Sequence, residues 1–426
     1  MFETLGIENL NSSSASFYFA LVLGGLFGYS AEKIKFCFRR ALINDDRSQA
    51  LFAWLFALAI ATLGTQAVIY KGWVSFENHR FYSSEIPYLA IATGGFLFGI
   101  GMIFTRGCIS RMTVLAGTGN IRALFVILIF AVTAHSTMKG PLSYPRLMLS
   151  EPTLYLGEFA GFANNSILQT VSLCIMAIIS LLIITRARLN LRIYVFSFII
   201  GNLAVLGWLG TGYILYDEFE PIELESLSFT RPATDTLFWS LASTSVSAKF
   251  GAGLISGVIL SAFLSSLQSK RFEIKSFETP IQTIQYITGA MLMGFGGVLA
   301  GGCTMGAGIS GISTLSVSAF FAIIFIGLGA KLANRRLRLI STVSQSLSYT
   351  GDPVQVIFRS GLRGGAPPEP TSKRARLAKK SEDMTRMLHP VATPLVDPIL
   401  RCATDCHPTD RSWMEPCLLC LIILRL

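Results

Sequence analysis

Charge is scarce in this chain. Only 14% of its 426 residues are Asp, Glu, Lys or Arg, while 52% are apolar; soluble domains carry roughly 25% charged residues. That balance excludes an ordinary soluble domain. Histidine is scarcer still: His79 and His135 lie in or near loops, and His389 and His407 near the C-terminal end. No Ser/His/Asp grouping, phosphate-binding glycine loop or pair of catalytic carboxylates stands out, so neither an enzyme nor a bound cofactor or metal is expected. The N-terminal segment MFETLGIENLNSSS has no basic stretch and no small-residue cleavage site. It therefore does not read as a signal peptide, and the first apolar run is expected to remain as a helix.

What the chain has instead is membrane-length apolar sequence. Several runs approach the ~20 residues needed to span a bilayer as a helix. Flanking charges divide them into nine crossings: 17–34, 50–69, 88–117, 121–138, 167–185, 191–214, 237–267, 281–311 and 315–332. The net charge of +10 is concentrated in alternate short loops, which carry Lys33, Lys35, Arg39, Arg40 and Arg47, then Arg186, Arg188 and Arg192, then Lys270, Arg271 and Lys275, then Arg335, Arg336 and Arg338. Such loops face the cytoplasm by the positive-inside rule, which makes nucleic acid an unsuitable partner and the lipid bilayer the natural one. The intervening loops are acidic or mixed, as in DEFEPIELE from Asp217. Alternation then places residues 1–16 outside and the C-terminal end in the cytoplasm, in a cell membrane.

A glycine-rich motif centred on cysteine occurs twice, as GGFLFGIGMIFTRGCISR from Gly94 and GAMLMGFGGVLAGGCTMG from Gly289. At a constant offset Gly94, Leu97, Gly99, Gly101, Gly107 and Cys108 fall on Gly289, Leu292, Gly294, Gly296, Gly302 and Cys303. The first copy runs inward and the second outward, so the two are related by inverted topology. Interrupted helices in two inverted halves mark the central site of many transporters. The sequence thus predicts an all-α, polytopic helical bundle with broken helices, in two pseudo-symmetric halves at about 17–140 and 190–340. The segment 139–166 has room for a short partial helix.

Glycines let helix backbones approach closely and weaken a helix by about 1 kcal/mol each. A break exposes N–H groups that bind anions at a helix N-terminus. Each motif is expected to be a half-helix, a turn near its cysteine, and a second half-helix, with Gly107, Ser110, Gly302 and Thr304 at the turns. Tight helix packing alone is the competing reading of the glycines. Four cysteines lie in the apolar region: Cys37, Cys108, Cys174 and Cys303. Cys174 reads as filler, whereas Cys108 and Cys303 are preceded by glycine and followed by polar residues. A thiol is soft, polarizable and a weak S–H donor, which suits a sulphur-bearing anion. A Cys108–Cys303 disulphide and soft-metal binding are competing readings. Arg106 and Lys249 fall within expected spans and are candidate cations; Arg111 has snorkelling to the interface as its simpler explanation.

At these residues the chain resembles the YeeE/YedE sulphur-transport family, which includes thiosulphate permeases. The resemblance rests on GGFLFGIGMIFTRGCISRMTVLAGTGNIRAL, on GAMLMGFGGVLAGGCTMGAGISG, and on GGLFGYSAEKIKFCF, which ends at Phe38. It covers roughly residues 17–335. It implies a nine-span membrane protein with short partial helices and a narrow path along which thiosulphate passes between thiols. Cys37, Cys108 and Cys303 match the family's cysteines. A further cysteine expected near 247–251 is absent, and Lys249 and Phe250 stand there. The expected function is uptake of thiosulphate or a related sulphur anion. The alternative is a membrane thiol-redox or sulphur-relay protein that cycles Cys108 with Cys303. A small cytoplasmic sulphur-carrier protein is the partner that the resemblance implies.

After Leu339 the sequence turns polar, proline-rich and basic, as in GLRGGAPPEPTSKRARLAKKSED. Residues 341–426 are expected to form a disordered cytoplasmic tail. Its CATDCH and CLLC groups resemble zinc-ligand spacing only loosely.

Overall fold

A computed structural model describes residues 12–43, 47–77, 79–157, 161, 166–186, 189–216 and 222–350. The chain divides into two units, Met1–Ser344 and Gln345–Leu426. Residues 1–11 of the expected extramembrane N-terminus (1–16), most of the expected tail and the loose zinc spacing lie outside the described residues.

The helices in chain order are α1 (Ser12–Ile34), α2 (Phe38–Ile43), α3 (Arg47–Tyr70), α4 (Tyr88–Phe104), α5 (Ile109–Gly117), α6 (Ile121–Lys139), α7 (Ser143–Ser150), α8 (Ser166–Arg186), α9 (Leu191–Leu209), α10 (Thr230–Leu241), α11 (Phe250–Gln268), α12 (Pro280–Leu299) and α13 (Val317–Thr350). A π-turn, Gly210–Ile214, extends α9, and a π-helix, Thr304–Gly311, follows α12. One two-residue ribbon pairs Glu85 with Tyr155 and Ile86 with Leu154. Among the described residues nine segments are long and apolar enough to cross a membrane. Their starts follow local chemistry. Asn120 accepts from the Ala123 amide ahead of α6, and Thr279 accepts from the Gln282 amide ahead of α12, with Pro280 in the first turn. Both are side-chain caps for amides that have no partner within the helix.

The packing repeats itself across the two halves. α1 lies against α11 as α3 lies against α9; α2 packs on α3 as α10 packs on α11; α5 packs on α11 as the π-helix packs on α3. The sequence α1 to α6 thus corresponds to α9, α10, α11, α12, the π-helix and α13. At the centre α4 crosses α12. A Cβ on Gly101 would meet the Gly289 carbonyl oxygen at 2.5 Å, and one on Gly289 would meet the Gly101 oxygen at 2.9 Å. Cross-contacts between motif positions that do not correspond are what an inverted pair of helices produces. The core around this crossing holds Phe98, Met102, Phe130, Met293 and Met305 together with Cys37, Cys108 and Cys303.

Loop contacts sort the ends of the bundle into two faces. On one, the Ile121 amide donates to the Lys275 carbonyl at 3.0 Å, among loops that carry Lys33, Lys35, Arg39, Arg40, Lys270 and Arg271. On the other, the Leu156 amide donates to Ser84 O at 2.9 Å, and Ser316 Oγ donates to Phe81 O at 2.7 Å. These are termed the basic and acidic faces.

The expected span 237–267 is replaced by two elements. α10 ends at Leu241, and only α11, from Phe250, is long enough to cross. The intervening ASTSVSAK is rich in Ser and Thr, whose hydroxyls compete for backbone hydrogen bonds. Lys249 consequently lies outside the span, at the N-cap of α11, and is exposed.

Candidate functional site

Three helices that cross the bundle end in the same way. Lys35, Arg106 and Gly301 adopt φ of 52°, 59° and 72°. Each donates its amide three residues back, Lys35 to Glu32 O, Arg106 to Ile103 O and Gly301 to Val298 O. A left-handed residue just past a helix end is a common helix stop, though for Lys and Arg it carries strain that glycine avoids. Two residues after each stands a cysteine, Cys37, Cys108 or Cys303, and each cysteine immediately precedes the next helical segment. The Gly–Cys motif thus works as a stop followed by a restart, with the thiol at the restart. Gly302 is required by close approach, because a Cβ there would lie 2.9 Å from the Ala307 backbone nitrogen.

Cys108 is 1% exposed and Cys303 fully buried. Cys108 Sγ lies 3.2 Å from Ser110 Oγ and 3.8 Å from Cys37 Sγ. Arg111, one residue further along α5, reaches the Ala31 carbonyl at 3.5 Å. Cys37, Cys108 and Ser110 therefore form one polar cluster inside the apolar core, towards the basic face. Cys303 Sγ accepts instead from the amide of Gly306 at 3.4 Å. α4 and α12 run past each other in opposite directions, with Phe104 level with Gly289 and Leu299 level with Gly94, so their ends at Phe104 and Leu299 are separated by about 15 Å along the crossing at ~1.5 Å per residue. Among the described residues the thiol in contact with Cys108 is Cys37. Gly302, Cys303 and Thr304 belong to the other break, towards the acidic face. Arg106 is exposed at the basic end of α4.

A cavity of about 460 Å³ opens from the acidic face down to this second break. Its lining includes Arg80, Trp208, Glu225, Ser228, Gly306 and Ser310. A wider cavity of about 720 Å³ shares Arg80, Glu223, Glu225 and Arg231 with it and extends past His135, Asp235 and Lys249. The two form a vestibule. Ser310 Oγ donates to Leu227 O at 2.8 Å, tying the π-helix to the segment ahead of α10. From the other side Gln66 Nε2 donates to Ser313 O at 3.0 Å. The hydroxyls of Ser228, Thr230 and Thr304 are buried with no protein partner among the described residues. Of these Ser228 lines the narrow cavity, and an orphaned hydroxyl there is a group a polar ligand satisfies.

The vestibule's charges are unequally matched. Arg231 bonds both carboxylate oxygens of Glu223, one of them at 2.6 Å, and lies 3.8 Å from Glu225 and 3.9 Å from Asp235. Burial works against its positive charge, yet the Glu223 hydrogen bond and the other carboxylates outweigh that and raise its pKa. Burial pushes the Glu225 carboxyl up to about 7, with Arg231 pulling the other way. Burial and the neighbouring Arg80 cation bring His79 down to about 3, which leaves it neutral. Arg80 makes no ion pair or hydrogen bond among the described residues; its guanidinium stands 5.1 Å over the Phe81 ring.

Sequence reasoning singled out the thiols and the breaks but passed over Arg80, Glu225, Ser228 and Arg231. No signal in the sequence sets Arg80 apart, because Lys71, Lys139 and Lys249 are cations on the same face.

A family profile described as sulphur transport matches residues 35–332. A protein named thiosulfate transporter TsuA from Escherichia coli (strain K12) is 23% identical over 349 residues, covering 74% of this chain and 92% of that protein. Another of the same name from Spirochaeta thermophila is 26% identical over 325 residues, covering 72% of this chain and 95% of the relative.

Proposed function

Because the chain belongs to the sulphur-transport family of membrane proteins, we propose that it is a permease carrying thiosulphate from the acidic face of the bundle to the basic face. On this reading the acidic face is external, the basic face is cytoplasmic, and the bilayer is the cell membrane. The observation that carries the proposal is the repeated placement of a buried thiol at a helix restart, at both ends of the central crossing.

Moving a dianion through hydrocarbon is prohibitively costly unless the path supplies donors and positive potential. The restarts supply both, since the free amides of α5 and the π-helix point back at the breaks and carry the positive end of the helix dipole. In the proposal, amides at Gly302–Thr304 and later Gly107–Ser110 receive the oxygens. The thiols receive the terminal sulphur, first Cys303, then Cys108, then Cys37. A thiol is a poor donor to a hard oxygen but matches a soft, charged sulphur, so sulphate gains less than thiosulphate at each step. Hydrogen bonds of this kind are weak enough to be exchanged in sequence, which passage requires. Arg106 and Lys249 contribute potential at the two mouths and do not contact the anion in the path.

The test is uptake by cells lacking other routes for sulphur oxyanions, supplied separately with thiosulphate, sulphate, sulphite or selenite. Thiosulphate is expected to be taken up in preference. Equal uptake of sulphate would refute selection by thiols.

The thiol-redox reading, in which Cys108 cycles with Cys303, gains no support from the geometry. The close pair is Cys37 with Cys108.

A further inference from the structure

The narrow cavity of the acidic-face vestibule holds, among the described residues, one cation that is not paired with a carboxylate. Arg231 faces Glu223, Glu225 and Asp235, so its field is largely cancelled inside the protein. Lys249 stands at the wider mouth beside Asp235. Arg80 and Arg231 line both cavities, whereas Lys139 and Lys249 line only the wider one; of these cations Arg80 is the one that reaches the narrow cavity with no ionic or hydrogen-bonded partner among the described residues. The Phe81 ring beneath it at 5.1 Å holds the guanidinium in place without using its N–H groups.

The same narrow cavity offers a hydroxyl donor. Ser228 Oγ is buried and unpartnered. It faces the α-carbon of Gly306 so closely that a Cβ there would meet it at 2.7 Å. Gly306 in turn supplies the amide that bonds Cys303 Sγ. The cavity floor is therefore one residue contact away from the first thiol. A planar guanidinium fork bonds two oxygens of a tetrahedral oxyanion at once, and a hydroxyl takes a third. The fourth substituent of the central sulphur then points away from the fork.

We propose that this cavity is a capture site for the sulphonate end of the transported anion, with Arg80 as its principal ligand and Ser228 as its second. The inference rests on the transport reading and adds a stage ahead of the thiols. The capture site reads only the tetrahedral oxygen end, so sulphate occupies it too; discrimination between sulphate and thiosulphate comes afterwards, at Cys303. Sulphate should accordingly compete at the mouth without being carried.

The test is uptake of labelled thiosulphate into proteoliposomes holding the full chain, with sulphate as competitor. Arg80→Gln is expected to raise KM about tenfold or more, the scale of losing a charge-assisted bidentate contact, and to abolish competition by sulphate. Arg80→Lys keeps the charge but not the fork and should fall between. Ser228→Ala should raise KM less than Arg80→Gln. Lys71, an exposed cation on the same face that lines neither cavity, is the control for general electrostatic attraction, and Lys71→Gln should leave KM within about twofold. If Arg80→Gln transports with the wild-type KM, or if sulphate fails to compete in the wild type, the capture site is wrong while transport stands. If the wild-type protein takes up no thiosulphate at all, the transport reading itself fails.

Discussion

Gly94 and Gly296 sit in reciprocal contact at the centre of the bundle. A Cβ on Gly94 would meet the Gly296 carbonyl oxygen at 2.8 Å, and one on Gly296 would meet the Gly94 oxygen at 2.5 Å. Both neighbours are backbone, which has nowhere to go. This pair, with Gly101 and Gly289, fixes where α4 crosses α12 and so where the two breaks fall. Gly296→Val should lower the thermal unfolding temperature of the detergent-solubilised protein, by an amount equivalent to about 1–3 kcal/mol of overpacking. Gly327→Ala, with nothing within 4 Å of the added carbon, should be neutral or slightly stabilising. Equal effects at the two positions would mean the crossing is not tight.

The contact between Cys37 and Cys108 predicts a specific chemical product. Under a mild oxidant each thiol loses a proton and one electron, and the 3.8 Å separation closes to a disulphide of about 2.05 Å. Mass spectrometry after thiol blocking should find Cys37 joined to Cys108, and the oxidised protein should not transport until reduced. Finding Cys108 joined to Cys303 instead would restore the thiol-cycling alternative and contradict the opposed breaks.

Uptake should depend on pH through Glu225. Its carboxyl, raised to about 7 by burial, is neutral below that pH and charged above it. The groups facing it are Arg231, Asp235 and Glu223 along its own segment and α10, and Arg80 across the vestibule; His79, depressed to about 3, stays neutral throughout. Ionisation therefore adds negative charge beside Arg80 as pH rises, and a dianion is then held less well. KM for thiosulphate is expected to rise between about pH 6 and 8 in the wild type, and Glu225→Gln should flatten that rise and lower KM at pH 8. An unchanged pH profile in Glu225→Gln would assign the dependence elsewhere.

Much of this arrangement was legible before the fold was known, and the exceptions have physical causes. Gly107–Cys108 and Gly302–Cys303 announced the breaks because glycine is costly inside a helix and the pattern recurs at one offset. The span 237–267 was misread because hydropathy averages over a window, while the hydroxyl-rich stretch at 242–249 acts locally. The Cys37–Cys108 contact had no local signal, since it depends on α1 and α4 ending at the same depth. The vestibule was invisible for a similar reason. Arg80 and Ser228 come from loops distant in sequence, and no periodicity relates them.

The central claim is that buried thiols hand the anion across the bundle. It is tested most directly by uptake of labelled thiosulphate into proteoliposomes carrying Cys108→Ser, at matched protein content. Serine keeps the size and the Ser110 neighbour but replaces soft sulphur with hard oxygen. Uptake is expected to fall at least tenfold while the protein remains folded and its unfolding temperature stays close to the wild type. Undiminished uptake by Cys108→Ser would contradict the account.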